Sequence, residues 1–193
     1  HKGRGPLGVE KWDITEIDGA DVLYHGDGVI RQSEQNAASL FGTARTLYST
    51  EGSSLCIRAM VYLAKLHAQG HGRACRILAG RNAHKVFINA AALLDVEVNW
   101  LYPKNASLLT CLASPEEWEA ALERERPTAV YLTSPDYLGN RADVAALARV
   151  CHAHGALLLV DNAHGAYLKF LPASQHPMDL GADLCCDSAH KTL

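Results

Sequence analysis

Short apolar runs alternate with helical stretches from about residue 75 to the end of the chain, and this alternation most constrains the fold. Each run is rich in the aliphatic and aromatic residues typical of buried strands. The candidate strands are residues 75–79, 96–101, 129–133, 156–161 and 183–187. Strands separated by helices form βαβ units, so the sequence predicts an α/β fold with a mainly parallel sheet.

Helix signals occupy several of the intervals between these runs. Ser114, followed by Pro115 and two glutamates, is typical of a helix start, and Pro127 would end that helix. A second helix is predicted from about residue 141 to 154, with Gly155 just beyond its end. Upstream, residues 33–49 and 54–69 are predicted as two helices. The glycine-rich first thirty residues predict an extended arm.

Composition and charge disfavour several kinds of partner. The chain has 18 basic and 21 acidic side chains, a net charge of −3 and no basic run, so neither nucleic acid nor a membrane surface is expected as a partner. No apolar run approaches the ~20 residues that cross a bilayer. Six cysteines without a C-x-x-C pair predict reduced thiols and a cytoplasmic location. No metal site is predicted, because His152 and His154 would point about 200° apart on a helix.

A candidate anion site lies at Gly52-Ser53-Ser54, where a helix is predicted to begin. The free N–H groups and positive dipole end of a helix start can hold a phosphate. The alternative is a serine that only caps the helix. Neither a Walker motif nor G-x-G-x-x-G follows a strand, which argues against a nucleotide triphosphatase and a nicotinamide enzyme.

Two further candidates follow predicted strands. Asp161 ends the apolar run of residues 157–161, and ligands of open α/β sheets bind at the carboxyl ends of strands. An aspartate here could instead only cap the next turn. Lys191 comes shortly after the last strand, in the segment Ser188-Ala189-His190-Lys191, which could equally be a solvated loop.

Six segments in chain order resemble the major domain of bacterial Orn/Lys/Arg decarboxylases, which are fold type I enzymes of pyridoxal 5′-phosphate. The segments are HKGRG (1–5), DITEIDGADVL (13–23), GVI (28–30), YSTEGSS (48–54), RNAHK (81–85) and SAHKTL (188–193). The resemblance implies a three-layer αβα fold, with residues 1–32 as an N-terminal arm and residues 33–193 as a partial cofactor-binding domain. It also implies truncation at both ends, since the chain begins at His1 and ends two residues after Lys191.

The resemblance implies a role for each matching residue. Lys191 would bond the cofactor aldehyde, and Asp161 would keep the pyridine nitrogen protonated. His84 would stack on one face of the ring and Ala163 on the other. The phosphate would be held by the remaining candidates, which are Gly52, Ser53, Ser54, Ser188 and His190. His84 and the serines could instead only begin helices.

His164 departs from the family pattern, since these decarboxylases commonly carry Trp there and Asp-x-Ala-His also occurs in other fold type I families. It could still contact the cofactor's phenolic oxygen. The implied activity is decarboxylation of arginine, lysine or ornithine to a polyamine or its precursor by a homodimer or higher homo-oligomer. The alternatives are an aminotransferase or acyltransferase, and an inactive fragment that only binds or dimerises. The acidic residues Glu16, Asp18 and Asp21 could meet a cationic substrate or form a solvated face.

Overall fold

Five parallel strands form one sheet in the computed structural model, which describes residues 19–104 and 109–193. The strands are β1 (Arg76–Gly80), β2 (Glu97–Leu101), β3 (Ala129–Thr133), β4 (Leu157–Asn162) and β5 (Leu184–Asp187). They lie in the order β2-β1-β3-β4-β5, and every neighbouring pair is parallel. The parallel α/β prediction is confirmed, and each predicted strand lies within one residue of its observed bounds.

Helices occupy most of the connections between these strands. They are α1 (Val29–Phe41), α2 (Gly52–Gly70), α3 (Lys85–Leu93), α4 (Pro115–Glu125), α5 (Val144–Ala153) and α6 (Ala189–Thr192), with a 3-10 helix at Ala166–Phe170. Among the residues described, no helix is both long and apolar enough to cross a membrane. Helix α3, a nine-residue, mostly apolar helix that begins directly after His84, was predicted only through the alternative that His84 begins a helix.

The sheet is covered by helices on both faces, which confirms the three-layer αβα fold. On one face, α2 and α3 pack against strand residues that include Ile77, Tyr131 and Leu159. On the other face, α4 and α5 pack against strand residues that include Leu78 and Val130. Because successive strand residues point to opposite faces, strands buried on both sides are continuously apolar, which is why their positions could be predicted.

The chain divides into two units, residues 1–48 and 49–193. In the described part of the first unit, Asp21 accepts hydrogen bonds from the N–H groups of Ile30 (2.7 Å) and Arg31 (3.2 Å) at the start of α1. Asp21 is therefore a capping residue, while Glu16 and Asp18 lie outside the described residues. Helix α1 begins at Val29, four residues before the helix start predicted at residue 33 and within the last residues of the predicted arm. The rest of that prediction falls mostly on residues 1–18, which are not described.

Helix ends account for the other differences from prediction. Helix α1 ends at Phe41 rather than near residue 49, because Gly42 takes a left-handed conformation that stops it. Helix α5 begins at Val144 rather than at 141, because the Asp143 carboxylate accepts the N–H of Ala146 (2.9 Å). Helix α4 has the predicted start, since Ser114 and Glu117 form a reciprocal capping box.

The strand order creates a crevice at one edge of the sheet. After β1 the chain builds outward to β2, then crosses back to β3 on the other side of β1 and continues to β4 and β5. The connections after β1 and β3 therefore leave in opposite directions, and ligands bind at such a reversal, beyond the carboxyl ends of the strands. The candidate site is expected at this edge.

Candidate active site

The proposed catalytic residues follow strands that end at this edge. His84 comes four residues after β1, Asp161 is the fifth residue of β4, and Lys191 lies four residues beyond β5. Parallel strands bring their carboxyl ends to the same side of the sheet. The structure thus brings together three residues separated by more than one hundred positions in the sequence.

Asp161 is a buried carboxylate with two hydrogen-bond donors. Only 4% of the residue is exposed, and its Oδ2 accepts the hydroxyl of Tyr131 (3.1 Å), while its Oδ1 accepts the N–H of Ala163 (3.2 Å). Burial raises the pKa of Asp161, although these hydrogen bonds and the electrostatic interactions with His84 and Lys191 partly oppose the rise. The hydrogen bond from Ala163 is the turn cap that the sequence left as an alternative. Asp161 therefore caps the turn, and its buried carboxylate would also be stabilised by a positively charged partner.

Lys191 and His164 face each other across the site. Lys191 Nζ lies 3.4 Å from His164 Nε2. Burial lowers the pKa of His164, the positive charge of Lys191 lowers it further, and Asp161 opposes both effects. A neutral His164 can accept a hydrogen bond from the Lys191 ammonium group, so this pair can direct the lysine side chain.

His84 begins α3 and lines a cavity. Its Nδ1 accepts the N–H of Val86 (3.3 Å), which confirms the helix-start geometry that the sequence left as an alternative. The cavity has a volume of about 340 Å³. Its lining consists of Arg81, Asn82, Ala83, His84, Lys85 and Tyr137. Two cationic side chains therefore border the space next to the imidazole, and this favours an anionic or electron-rich group.

Ser188 and the start of α2 lie beside the end of β5. Ser188 is buried, and its hydroxyl oxygen has no hydrogen-bond partner within the described part of the chain. Helix α2 begins at Gly52, so Ser53 and Ser54 lie in its first turn and neither serine is the capping residue. The carbonyl oxygen of Ser53 lies 3.7 Å from the Sγ atom of Cys186, which places this turn against β5. The unpaired hydroxyl of Ser188 on one side and the free N–H groups at the start of α2 on the other can bind an anion between them.

The other predicted residues differ in exposure. Ala163 is buried, with 8% exposed, whereas His190 is exposed on α6. The sequence missed Tyr131 and Tyr137. Tyr131 looked like an ordinary strand residue, although its position two residues before the end of β3 placed its hydroxyl near the site edge.

A second polar cluster lies beside the site and was also missed. Asn162 Nδ2 donates to Asp187 Oδ1 (2.6 Å), and His176 Nε2 lies 3.1 Å from Asp187 Oδ2. His176 is only 1% exposed. Because Asn162 and Asp187 are opposite each other in the register of β4 and β5, their bond joins the two strands immediately before the turns that carry His164 and Lys191.

The parallel αβα fold, a buried aspartate one residue before the end of β4 and a lysine just after the last strand are the arrangement of a fold type I, pyridoxal phosphate-binding domain. Among solved structures, the crystal structure of Oryza sativa TDC with PLP is similar to this chain, with a TM-score of 0.65 and 18% identity over 84% of this chain and 40% of that one. At this identity the likeness shows the fold. Residues 8–193 match the family described as Orn/Lys/Arg decarboxylase, major domain, and the chain belongs to that family.

Two curated relatives are similar over nearly the whole chain. The uncharacterized protein YaaO of Bacillus subtilis is 33% identical over 185 residues, which are 94% of this chain and 37% of that protein. The arginine decarboxylase of Halalkalibacterium halodurans is 31% identical over 186 residues, which are 93% of this chain and 36% of that protein. The chain thus spans little more than a third of the length of these relatives.

Family membership makes pyridoxal 5′-phosphate the cofactor of this chain, and the donor set fits it. The buried carboxylate of Asp161 matches a protonated ring nitrogen, and the amine of Lys191 matches an aldehyde. The unpaired hydroxyl of Ser188 and the N–H groups at the start of α2 match a phosphate.

Proposed function

We propose that the protein carrying this chain decarboxylates a basic amino acid to its amine and carbon dioxide, with arginine as the first substrate to test. Arginine comes first because the relative from Halalkalibacterium halodurans is named an arginine decarboxylase. The observation that carries the proposal is the burial of Asp161 beside Tyr131, at the same sheet edge as Lys191. A carboxylate in that environment is stabilised by a cation, and a protonated pyridine nitrogen supplies one.

Bound pyridoxal phosphate supplies an electron sink for the electrons of the broken carbon–carboxylate bond. Asp161 keeps the proton on the ring nitrogen, because its negative charge raises the pKa of that nitrogen. Tyr131 and the N–H of Ala163 hold the carboxylate in place. This preorganisation removes the need for solvent to reorganise during the reaction.

Lys191 would hold the cofactor through its aldehyde, and its amine would carry the proton that is returned to the substrate carbon. His164 positions the amine of Lys191 through the 3.4 Å contact between His164 Nε2 and Lys191 Nζ. His84 would lie against one face of the cofactor ring and Ala163 against the other. The phosphate would be held by the first turn of α2, which contains Gly52, Ser53 and Ser54, together with Ser188 and His190.

The assembly and surroundings of the protein are also part of the proposal. A homodimer or higher homo-oligomer in the cytoplasm, acting in polyamine formation, is consistent with the family. The division into an arm of residues 1–32 and a cofactor-binding domain of residues 33–193 is proposed on the same basis.

The test is a comparison of the purified protein with its Lys191→Ala variant after incubation with pyridoxal phosphate. We expect the wild type to show the visible absorbance band of lysine-bound cofactor and to release carbon dioxide and amine from arginine, lysine or ornithine. Lys191→Ala is expected to lose the band, because no other amine replaces it at that position. Lys104→Ala, which alters an exposed lysine after β2, is the control and keeps the band.

Asp161→Asn separates binding from chemistry. We expect this variant to retain the visible band but to lose about 100-fold or more in rate, which is about 2.7 kcal/mol of barrier at about 1.36 kcal/mol for each factor of ten. A band that persists in Lys191→Ala would contradict the assignment of the lysine. A keto acid in place of carbon dioxide and amine would identify an aminotransferase instead.

A further inference from the structure

A hydrogen-bonded network of Asn162, Asp187 and His176 joins the ends of β4 and β5. Asn162 and Asp187 are the last residues of these strands and lie opposite each other in the register. The carboxylate oxygens of Asp187 are each held by one donor, Oδ1 by Asn162 Nδ2 (2.6 Å) and Oδ2 by His176 Nε2 (3.1 Å). Asn162 is 0% exposed and His176 is 1% exposed. Because the two donors are shielded from water, no solvent molecule competes for them, and their hydrogen bonds fix the carboxylate in one orientation.

The ring of His176 has a defined tautomer and a defined position. Its Nδ1 accepts the backbone N–H of Met178 (3.4 Å), so the ring proton lies on Nε2 and is donated to Asp187. The carbonyl oxygen of His176 also accepts the N–H groups of Asp179 (3.0 Å) and Leu180 (3.2 Å), which holds this residue in the loop before β5. Both ring nitrogens are therefore engaged within the protein, and neither is available to the cofactor or the substrate.

The network joins the two chain segments that meet at the amine of Lys191. Asp187 is followed directly by Ser188, and the N–H of Lys191 donates to the carbonyl oxygen of Ser188 (3.1 Å). Asn162 is followed by the turn that carries His164, whose Nε2 lies 3.4 Å from Lys191 Nζ. A shift of Asp187 relative to Asn162 therefore changes both the distance between the lysine and the histidine and the direction of the Ser188 hydroxyl.

We propose that His176 is a positioning residue for the reaction at Lys191 and that it acts through Asp187. This inference rests on the proposed function, because it assigns Lys191 to the cofactor. His176 keeps the Asp187 carboxylate between two donors, and that carboxylate sets the spacing of the two turns that meet at Lys191. A reacting group that is displaced by about 1 Å can lose about 100-fold in rate, so a hydrogen bond at this place affects turnover as well as folding.

A metal ion is the other group that this cluster could hold. His176, Cys185 and Asp187 have ligand atoms that all lie within 4.8 Å of one another. Both oxygens of Asp187 and both ring nitrogens of His176 are already hydrogen-bonded within the protein, and a metal ion would have to replace some of these bonds. The geometry therefore favours the network. We expect elemental analysis of the purified protein to show no stoichiometric zinc, and one zinc ion per chain that is lost in His176→Gln would overturn the proposal.

The first kinetic experiment compares two substitutions of His176 in the cofactor-bound protein. Glutamine keeps an N–H donor near the place of Nε2, whereas leucine has a similar volume and no donor. We expect His176→Leu to lower kcat about tenfold or more while KM changes less than about threefold. The same variant should move the pH at which the visible cofactor band changes form by about half a unit or more. His176→Gln should restore both values.

The control is His152→Leu, which removes a histidine–aspartate contact with Asp183 (3.0 Å) before the start of β5, away from the site edge. It should leave kcat and the pH dependence of the band unchanged. A merely structural role of His176 would lower the free energy of unfolding in urea without moving the pH dependence, and that result would contradict the proposal, as would a loss that glutamine does not restore. Absence of the visible band in the wild type would instead refute the proposed function.

The second kinetic experiment tests whether His176 acts through Asp187. Asp187→Asn keeps the side-chain volume and removes the charge, and because Asp187 is partly exposed, this variant keeps the test decisive if His176→Leu folds poorly. We expect Asp187→Asn to lower kcat about as much as His176→Leu, and the double variant to lose no more than the larger single loss, because both changes break the same contact. Losses that multiply in the double variant, or wild-type kcat in Asp187→Asn, would refute the action through Asp187.

Discussion

Tyr131→Phe tests how far the hydrogen bond from Tyr131 stabilises the buried carboxylate of Asp161. Tyr131 is completely buried, its ring stacks on Phe87 with centroids 4.0 Å apart, and its hydroxyl donates to Asp161 (3.1 Å). Phenylalanine keeps the ring and its packing and removes only the donor. A hydrogen bond to a charged group contributes about 1.5–3 kcal/mol, and one to a neutral group about 0.5–1.5 kcal/mol. The loss should therefore depend on the charge of Asp161.

The pH dependence has a definite sign. The folded-state pKa of Asp161 is raised above its ordinary value of 3.8, so the folded protein holds a proton in a pH range where the unfolded chain has lost it. Stability contributed by this group therefore falls as the pH rises through that range. Removing the Tyr131 hydroxyl raises the pKa further, since that bond stabilises the carboxylate. The variant should lose more stability at neutral pH than in acid.

The assay is urea unfolding of the cofactor-free protein near the ordinary carboxyl pKa and again at about pH 8. We expect Tyr131→Phe to lower the free energy of unfolding at both, and by about 1 kcal/mol more at the higher pH. Tyr62→Phe, which alters an exposed tyrosine of α2, is the control and should change neither value. An equal loss at the two pH values would refute the argument that Asp161 is ionised and held by Tyr131.

Two further predictions concern a helix cap and a close backbone approach. Ser114→Ala removes the capping box of α4 and should lower the free energy of unfolding by about 1 kcal/mol in urea; no loss would show that the cap is dispensable. At Gly165, an added methyl group would lie 2.6 Å from Pro135 Cδ and would clash with the Asn162 amide. Gly165→Ala should therefore cost about 1–3 kcal/mol and weaken the cofactor absorbance band, whereas Gly70→Ala, with open space around it, should do neither.

Features that depend on neighbours in sequence could be predicted. The apolar runs identified all five strands, because a parallel sheet buried on both faces requires continuous apolar residues. The helix cap at Ser114 was also predictable, because the residues that form it are close neighbours in the sequence. Helix α3 was predicted only as an alternative role for His84, because its short apolar segment has no polar face to give a periodic signal and its capping residue is a histidine. The end of α1 depends on the backbone conformation of Gly42, which composition alone does not reveal.

In the candidate site, too, residues in short motifs were predictable, whereas contacts between distant segments were not. Motif resemblance selected Asp161, Lys191 and His84, and the sheet order brings their strand ends to one edge. No local pattern connects Tyr131 to Asp161, since they are thirty residues apart and meet only because β3 and β4 are neighbours. The same holds for Cys186 and the carbonyl oxygen of Ser53, which belong to a strand and a helix at opposite ends of the described second unit.

The amino-acid sequence by itself determined the α/β class, the strand positions and the family, because these follow from the pattern of buried residues and from short motifs. Only the tertiary structure decided the protonation environment of Asp161, the contact of Lys191 with His164 and the contact of Cys186 with the backbone of the serine turn. Burial and proximity set pKa values and reactivity, and both arise from packing between segments that are distant in the chain.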